Sequence, residues 1–304
     1  MRRTSLDRRM DKLRDLEERG LLGGRRGSRF LRKLLANPLA LFGLWTFGVI
    51  LVLCLFAPLV TRYKPNALDL GNLLKAPSLA HPFGTDKVGR DVLTRVLYGG
   101  RISILVGLGS ALGAALIGVS LGLWGGYKGG KVDALILRVS EVFMSFPQII
   151  LVLLLVSVVG QSLMNLIVIF MVTGWGGMYR QTRAKVLSLR EEEYVQALRA
   201  FGIHDATIAF KHILPNALSP IVVNITLSTA MFILQEAGLS FLGLGVPMQI
   251  ATWGNILNVA QDIVILKNNW WIWLPVGCVI SLFVLSVNFI GDGLRDSTDP
   301  SQQG

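Results

Sequence analysis

Between Val142 and Tyr179 the chain runs for 38 residues without an Asp, Glu, Lys or Arg. As one helix this stretch would be roughly 57 Å long at about 1.5 Å per residue, against a hydrocarbon core of about 30 Å. It must therefore fold back on itself, and Gly160-Gln161-Ser162 supplies the polar break. The same reasoning, about 20 apolar residues per crossing, marks the other spans: Leu39 to Val60, Ile102 to Gly126, 142–159, 163–179, about Leu218 to Leu239, and about Trp270 to Ile290. The expected class is an all-α polytopic membrane protein with six transmembrane helices. Composition agrees, since 52% of the residues are hydrophobic and only 16% charged, with the charge gathered between long uncharged runs.

Six crossings put both termini on one side, and the basic residues say which. Of the 30 Lys and Arg, 12 lie before Pro38, and 22 fall on that side when 128–138, 180–213 and 292–304 are added. By the positive-inside rule both termini are expected to be cytoplasmic, with Trp270, Trp271 and Trp273 in an outer interfacial belt. The organisation expected is a basic tail over 1–38, a first span over 39–60, an extracytoplasmic segment over 61–101, a five-helix core over 102–291 and a C-terminal tail over 292–304. The first 33 residues lack the short apolar core and cleavage site of a signal peptide, so span one is expected to be retained. The tail's net charge of about +7 suits a topology signal or a contact with anionic lipid better than nucleic acid.

Enzymatic readings find little purchase. Gly125 to Val132 satisfies G-x-x-x-x-G-K, but Val132 stands where a magnesium-binding Ser or Thr is required, and the segment follows an apolar span instead of a buried strand. A flexible cytoplasmic turn is the better reading, and no ATP hydrolysis is expected in this chain. Cys54 and Cys278 lie within spans as small packing residues, and His81, His204 and His212 have no ligand spacing around them, so no metal or cofactor is expected. Glu141 at the start of span three and Glu236 near the outer end of span five are candidate gate or path residues, as are Ser228 and Met231.

The polar interruption from Arg180 to Pro215 carries a helical pattern. Ser188-Leu189-Arg190-Glu191 has the form of a capping box, which predicts a helix start with Glu191, Glu192 and Glu193 in its first turn. Tyr194, Leu198 and Phe201 predict one apolar stripe, and Gly202 a left-handed helix end. A second short helix is predicted over about His204 to His212, with Pro215 and Pro220 marking the return into span five. An amphipathic hairpin lying on the headgroups is the bland alternative.

This segment resembles the EAA loop of ABC importer permeases. Gln196-Ala197-Leu198 occupies the Glu-Ala-Ala positions, Gly202 the glycine, and His212-Ile213-Leu214-Pro215 the closing motif; Gln196 replaces the acid and Leu198 an alanine. Three more segments resemble the dipeptide, oligopeptide and nickel permeases of the DppC/OppC type: His81 to Asp86 continuing through Gly89-Arg90-Asp91 to Ser103, Glu236 to Gly245 with Trp253-Gly254-Asn255, and Asn288 to Asp296. The resemblance covers about residues 39–300.

It implies a type I ABC importer permease fold with cytoplasmic coupling helices, in a bacterial inner membrane. Its implied partners are a sister permease, two ATP-binding subunits that hold ATP and Mg, and an extracytoplasmic substrate-binding protein. The coupling loop, 180–215, would present Gln196, Ala197, Leu198, Arg199, Gly202, Ile203, His204, Asp205, His212 and Pro215 to the ATPase. Peptide is the substrate the resemblance favours, with nickel complexes and glutathione as alternatives inside the family. A stand-alone secondary transporter is the competing class, although inverted repeats and midplane ionisable residues are not evident. A membrane scaffold is a third.

Overall fold

A computed structural model describes residues 33–298. The basic tail, apart from its last residues, and the end of the C-terminal tail lie outside them. Among the described residues the regular structure is helical, with a long irregular segment over 61–91 and extended pairing limited to one bridge between Thr85 and Asp91. Four helices among the described residues are long and apolar enough to cross a bilayer, or five if one sharply bent pair counts as a span.

Helix α1, Pro38–Leu55, begins where expected: Pro38 occupies its first turn and the Asn37 side chain accepts from the Leu39 and Ala40 amides at 3.0 and 3.2 Å. A kink at Phe56 separates it from the short α2, Ala57–Val60. Helix α3, Val92–Lys128, starts ten residues before the predicted span, capped by Asp91, whose Oδ1 accepts from the Thr94 amide at 2.7 Å. Its two early arginines do not end it because both are satisfied. Arg95 donates to the Pro65 carbonyl and Asn66 Oδ1 at 3.3 Å, while Arg101 Nε donates to the Cys54 carbonyl at 2.6 Å, at the negative end of α1.

The predicted third span is not one straight helix. Residues Gly130–Met144 form α4 and Gln148–Val159 form α5, with an 85° bend between them. Pro147, which has no amide proton to donate, sits at that corner. The break predicted at Gly160 is present: Gly160 has φ +92°, and Ser162 Oγ accepts from the Asn165 amide at the start of α6, Leu163–Arg190. Helix α6 runs well beyond the predicted fourth span and takes up the first third of the polar interruption.

Short α7, Glu193–Ala200, is followed by the 37-residue helix α8, Asp205–Phe241. Neither proline interrupts α8. A single π-helical stretch, Ile208–Ile213, lies just before Pro215, and Asn216 Nδ2 donates to the His212 carbonyl at 2.7 Å. Such local π adjustments let membrane helices carry proline. After α8 come α9, Trp253–Leu257, α10, Ile263–Asn268, and the closing span α11, Trp270–Thr298. Of the predicted aromatic belt, Trp270 is exposed, Trp271 packs into the core and Trp273 Nε1 donates to the Leu266 carbonyl.

The α3–α6 pair is held at close quarters by glycine. A side chain at Gly118 would meet Met178 Cβ at 2.5 Å and the Trp175 carbonyl at 2.6 Å, and one at Gly122 the Tyr179 carbonyl at 2.8 Å. Four-residue spacing of small residues is a common way for helices to approach in lipid, where packing replaces the hydrophobic drive. A second core joins α1, α3, α8 and α11 around Trp253 and Phe283.

Candidate functional site

The loop at 180–215 departs from the predicted capping box. Ser188 lies in the last turn of α6 and Glu191 follows that helix as its C-cap, so α7 starts at Glu193 with Glu192 as its N-cap. Val186 and Leu189 are buried on the α6 side, and that packing outweighs the Ser-x-x-Glu pattern. The stripe shifts as well. Val195 is the buried residue of α7, joined by the half-buried Leu198, whereas Tyr194 and Phe201 point outward.

Gly202 does what its position predicts. At φ +72° it closes a Schellman motif in which the Ile203 amide donates to the Leu198 carbonyl at 3.1 Å and the Gly202 amide to the Arg199 carbonyl at 2.9 Å. His204 then caps α8, its Nδ1 accepting from the Ala206 amide at 3.3 Å.

What holds the loop is Tyr127, at the last turn of α3. Its hydroxyl donates to Asp205 Oδ1 at 2.6 Å, and the Arg199 guanidinium covers its ring 5.0 Å from the centroid. Arg190 reaches the carbonyls of Gly126 and Tyr127, each at 3.3 Å, at the negative end of the same helix. Two turns earlier in α6, Arg183 pairs with Asp133 through two hydrogen bonds, and the Tyr179 hydroxyl joins at 3.2 Å. Gln196, Ala197, Gly202, Ile203 and His204 are exposed on this seated loop, as are Arg199 and Asp205, whose side chains turn to Tyr127; His212 and Pro215 mark the return from π to α geometry. Phe201 and Phe210 are also exposed.

The four candidate path residues separate. Glu141 is exposed near the end of α4 and pairs with Arg138 at 2.9 Å, a surface contact of small energetic weight. Glu236 is fully buried and enclosed: Ser103 Oγ and Ser240 Oγ donate to it at 2.9 and 2.8 Å, and Ser103 in turn accepts from the Trp253 amide at 3.1 Å. It ties α3, α8 and α9 together instead of facing an opening. Ser228 and Met231 share one face of α8.

That face holds more than the sequence reading assigned to it. Asn224, Ser228, Met231 and Gln235 recur at i, i+4, i+7 and i+11, the spacing of one helical stripe. Asn224 Nδ2 donates to Gln181 Oε1 of α6, and Gln235 Nε2 donates to Gln148 Oε1 of α5 at 3.1 Å. Two neutral amide bridges thus stand along α8, about 16 Å apart at 1.5 Å per residue. Polar residues at helical spacing in an apolar span would have revealed three of the four stripe positions. Gln148 becomes a partner only through the bend at Pro147.

Away from the loop, the segment before α3 is built around buried polar groups. His81 Nδ1 meets Asp91 Oδ2 at 2.9 Å and stacks on Tyr63 at 4.7 Å, while Asp86 Oδ2 accepts from Arg90 Nε at 2.6 Å. His81, Asp86, Arg90 and Asp91 of the quoted segment thus fold the loop together.

Comparison with known proteins follows the same lines. The family described as "Binding-protein-dependent transport system inner membrane component" matches residues 118–302, and "N-terminal TM domain of oligopeptide transport permease C" matches residues 26–77. The dipeptide transport system permease protein DppC of Alkalihalophilus pseudofirmus is 40% identical over 272 residues, covering 90% of this chain and 89% of that protein. The oligopeptide transport system permease protein OppC of Bacillus subtilis is 38% identical, covering 87% of this chain and 86% of its own. DppC of the same organism is 40% identical, covering 88% and 84%.

Proposed function

Since the chain belongs to the family of binding-protein-dependent transport system inner membrane components, we propose that it is the membrane-spanning permease subunit of an ATP-driven peptide importer and supplies half of the translocation path. The observation that carries this reading is the continuity of α8. One helix begins in the loop seated on Tyr127 and, through a single π-helical turn, continues into the stripe of Asn224, Ser228 and Gln235. Movement applied to the loop therefore reaches the stripe, and a population shift between two states needs only that the partner contact the loop differently in each.

In this reading α1, α3, the bent α4–α5 pair, α6, α8 and α11 make six crossings, with both termini and the loop in the cytoplasm of a bacterial cell. Two separate ATPase subunits, which hold ATP and Mg, dock on the exposed face of the loop around Gln196 to Asp205. A sister permease covers the stripe, and a binding protein delivers peptide to the segment before α3. The permease is not itself an enzyme. Because Gln196 stands where the EAA pattern has an acid, its contact with the ATPase is a neutral hydrogen bond, about half as strong as a charge-assisted one.

Co-expression of the chain with its sister permease, ATPase subunits and binding protein, followed by reconstitution in liposomes, should give peptide uptake that needs ATP and every subunit. Uptake by this chain alone would instead make it a stand-alone transporter. Gln196→Glu is expected to keep or raise the amount of ATPase recovered with the permease in a pull-down. Loss of the ATPase from that variant would show that Gln196 is not the docking position.

A further inference from the structure

We propose that the Gln148–Gln235 bridge is a subsite for the peptide group itself, the part of a peptide substrate that does not vary with its side chains. This rests on the reading of the chain as a peptide permease.

Two primary amides can close a ring of two hydrogen bonds. Here only one forms, from Gln235 Nε2 to Gln148 Oε1 at 3.1 Å. The remaining Gln148 Nε2 donor and Gln235 Oε1 acceptor are buried and have no partner. Turning both amides over exchanges the roles and leaves the same complement, one free N–H and one free oxygen. A peptide group offers the matching pair, a carbonyl acceptor and an amide donor.

Buried polar atoms left unpaired are costly, so the arrangement favours a ligand that satisfies both. Its position fits transit. Gln235 lies on the stripe with Ser228 and with Met231, which is exposed, and Gln148 sits at the corner of an 85° bend, where two short helices meet. Gly174 of α6 brings backbone beside Gln148: a Cβ there would be 3.5 Å from Gln148 Nε2. No charged side chain occupies the stripe positions, so neither acidic nor basic peptides are selected by it. An importer for peptides of differing side chains needs a contact of this kind, one that reads the backbone and not the charge.

The test uses the complete reconstituted importer with labelled tri-alanine and its analogue N-methylated at the first peptide bond, which lacks one donor. Gln148→Met and Gln235→Met keep side-chain length and remove the amide. Each variant should import tri-alanine about tenfold more slowly while its binding-protein-stimulated ATP hydrolysis is retained. The rate ratio of tri-alanine to the methylated analogue should fall about fivefold from its wild-type value, the scale of one hydrogen bond. Because the binding protein is the same throughout, a change in that ratio belongs to the permease. Gln148→Asn, which keeps the amide, should retain more of the preference than Gln148→Met and serves as the check if a Met variant fails to assemble. An unchanged ratio in the variants overturns the subsite while leaving the importer reading intact. Absence of tri-alanine import by the wild-type complex overturns the reading and the subsite together.

Discussion

Replacing Gly118 with leucine is expected to eliminate the folded subunit. Helices α3 and α6 meet there so closely that the first added carbon would lie 2.5 Å from Met178 Cβ, 2.6 Å from the Trp175 carbonyl and 2.8 Å from the Tyr179 amide. Two of those atoms are backbone and cannot rotate away. The helices would have to separate along their whole contact, at about 3 kcal/mol, the upper end of what overpacked cores cost. That displacement also pulls Tyr179 and Arg183 from Asp133. Size-exclusion of a fluorescently tagged variant in mild detergent should show the monodisperse peak reduced at least tenfold. Gly48→Leu on α1, where an added carbon meets nothing within 4 Å, should leave the peak unchanged and separates bulk from position. A normal peak from Gly118→Leu would mean that the α3–α6 packing described here is wrong.

Gly202→Val should behave in the opposite way, leaving the protein folded and the transport cycle broken. Nothing lies within 4 Å of a Cβ at this position, so the cost is confined to the backbone. At φ +72° a β-branched residue is strained by about 1–3 kcal/mol. The strain is relieved by opening the turn that joins α7 to α8, which misdirects the exposed face from Gln196 to Asp205. Membrane levels should stay within about twofold of wild type, while ATP-driven uptake falls at least tenfold. Gly202→Asn, whose side chain tolerates the left-handed region, should keep most of the uptake. Wild-type uptake by the valine variant would remove the turn from the coupling path.

Much of the fold was legible because lipid enforces a simple rule, that backbone groups in the hydrocarbon must be satisfied within helices. Uncharged length then locates crossings, and the break at Gly160 follows from length alone. The misread boundaries share one cause: local signals were overruled by partners distant in sequence. Arg101 seemed too polar for a span, yet it lies inside α3 because the carbonyls at the end of α1 receive it. Pro215 and Pro220 mark the return into span five by sequence, but the helix already runs from Asp205 through both, with a π stretch and the Asn216 side chain next to Pro215. The Ser188 capping pattern lost to the burial of Val186 and Leu189. In the loop, Gly202 was readable because its demand is purely local, whereas Tyr127, 75 positions away in α3, was not. Likewise Ser228 and Met231 could be picked from the span, but Gln148 needed the corner at Pro147 to meet Gln235.

The unbroken α8 also bears on how tightly fuel is tied to cargo. A joint between loop and stripe would permit ATP cycles that move the loop and leave the stripe still. The only irregular turn in α8 is Ile208–Ile213, and it is buried against the ends of α3 and α6 at Ile208, Ala209 and Ile213. Under the proposed coupling, slippage would have one place to occur, and packing closes it. Loosening that turn should raise ATP consumed per peptide delivered without stopping either process.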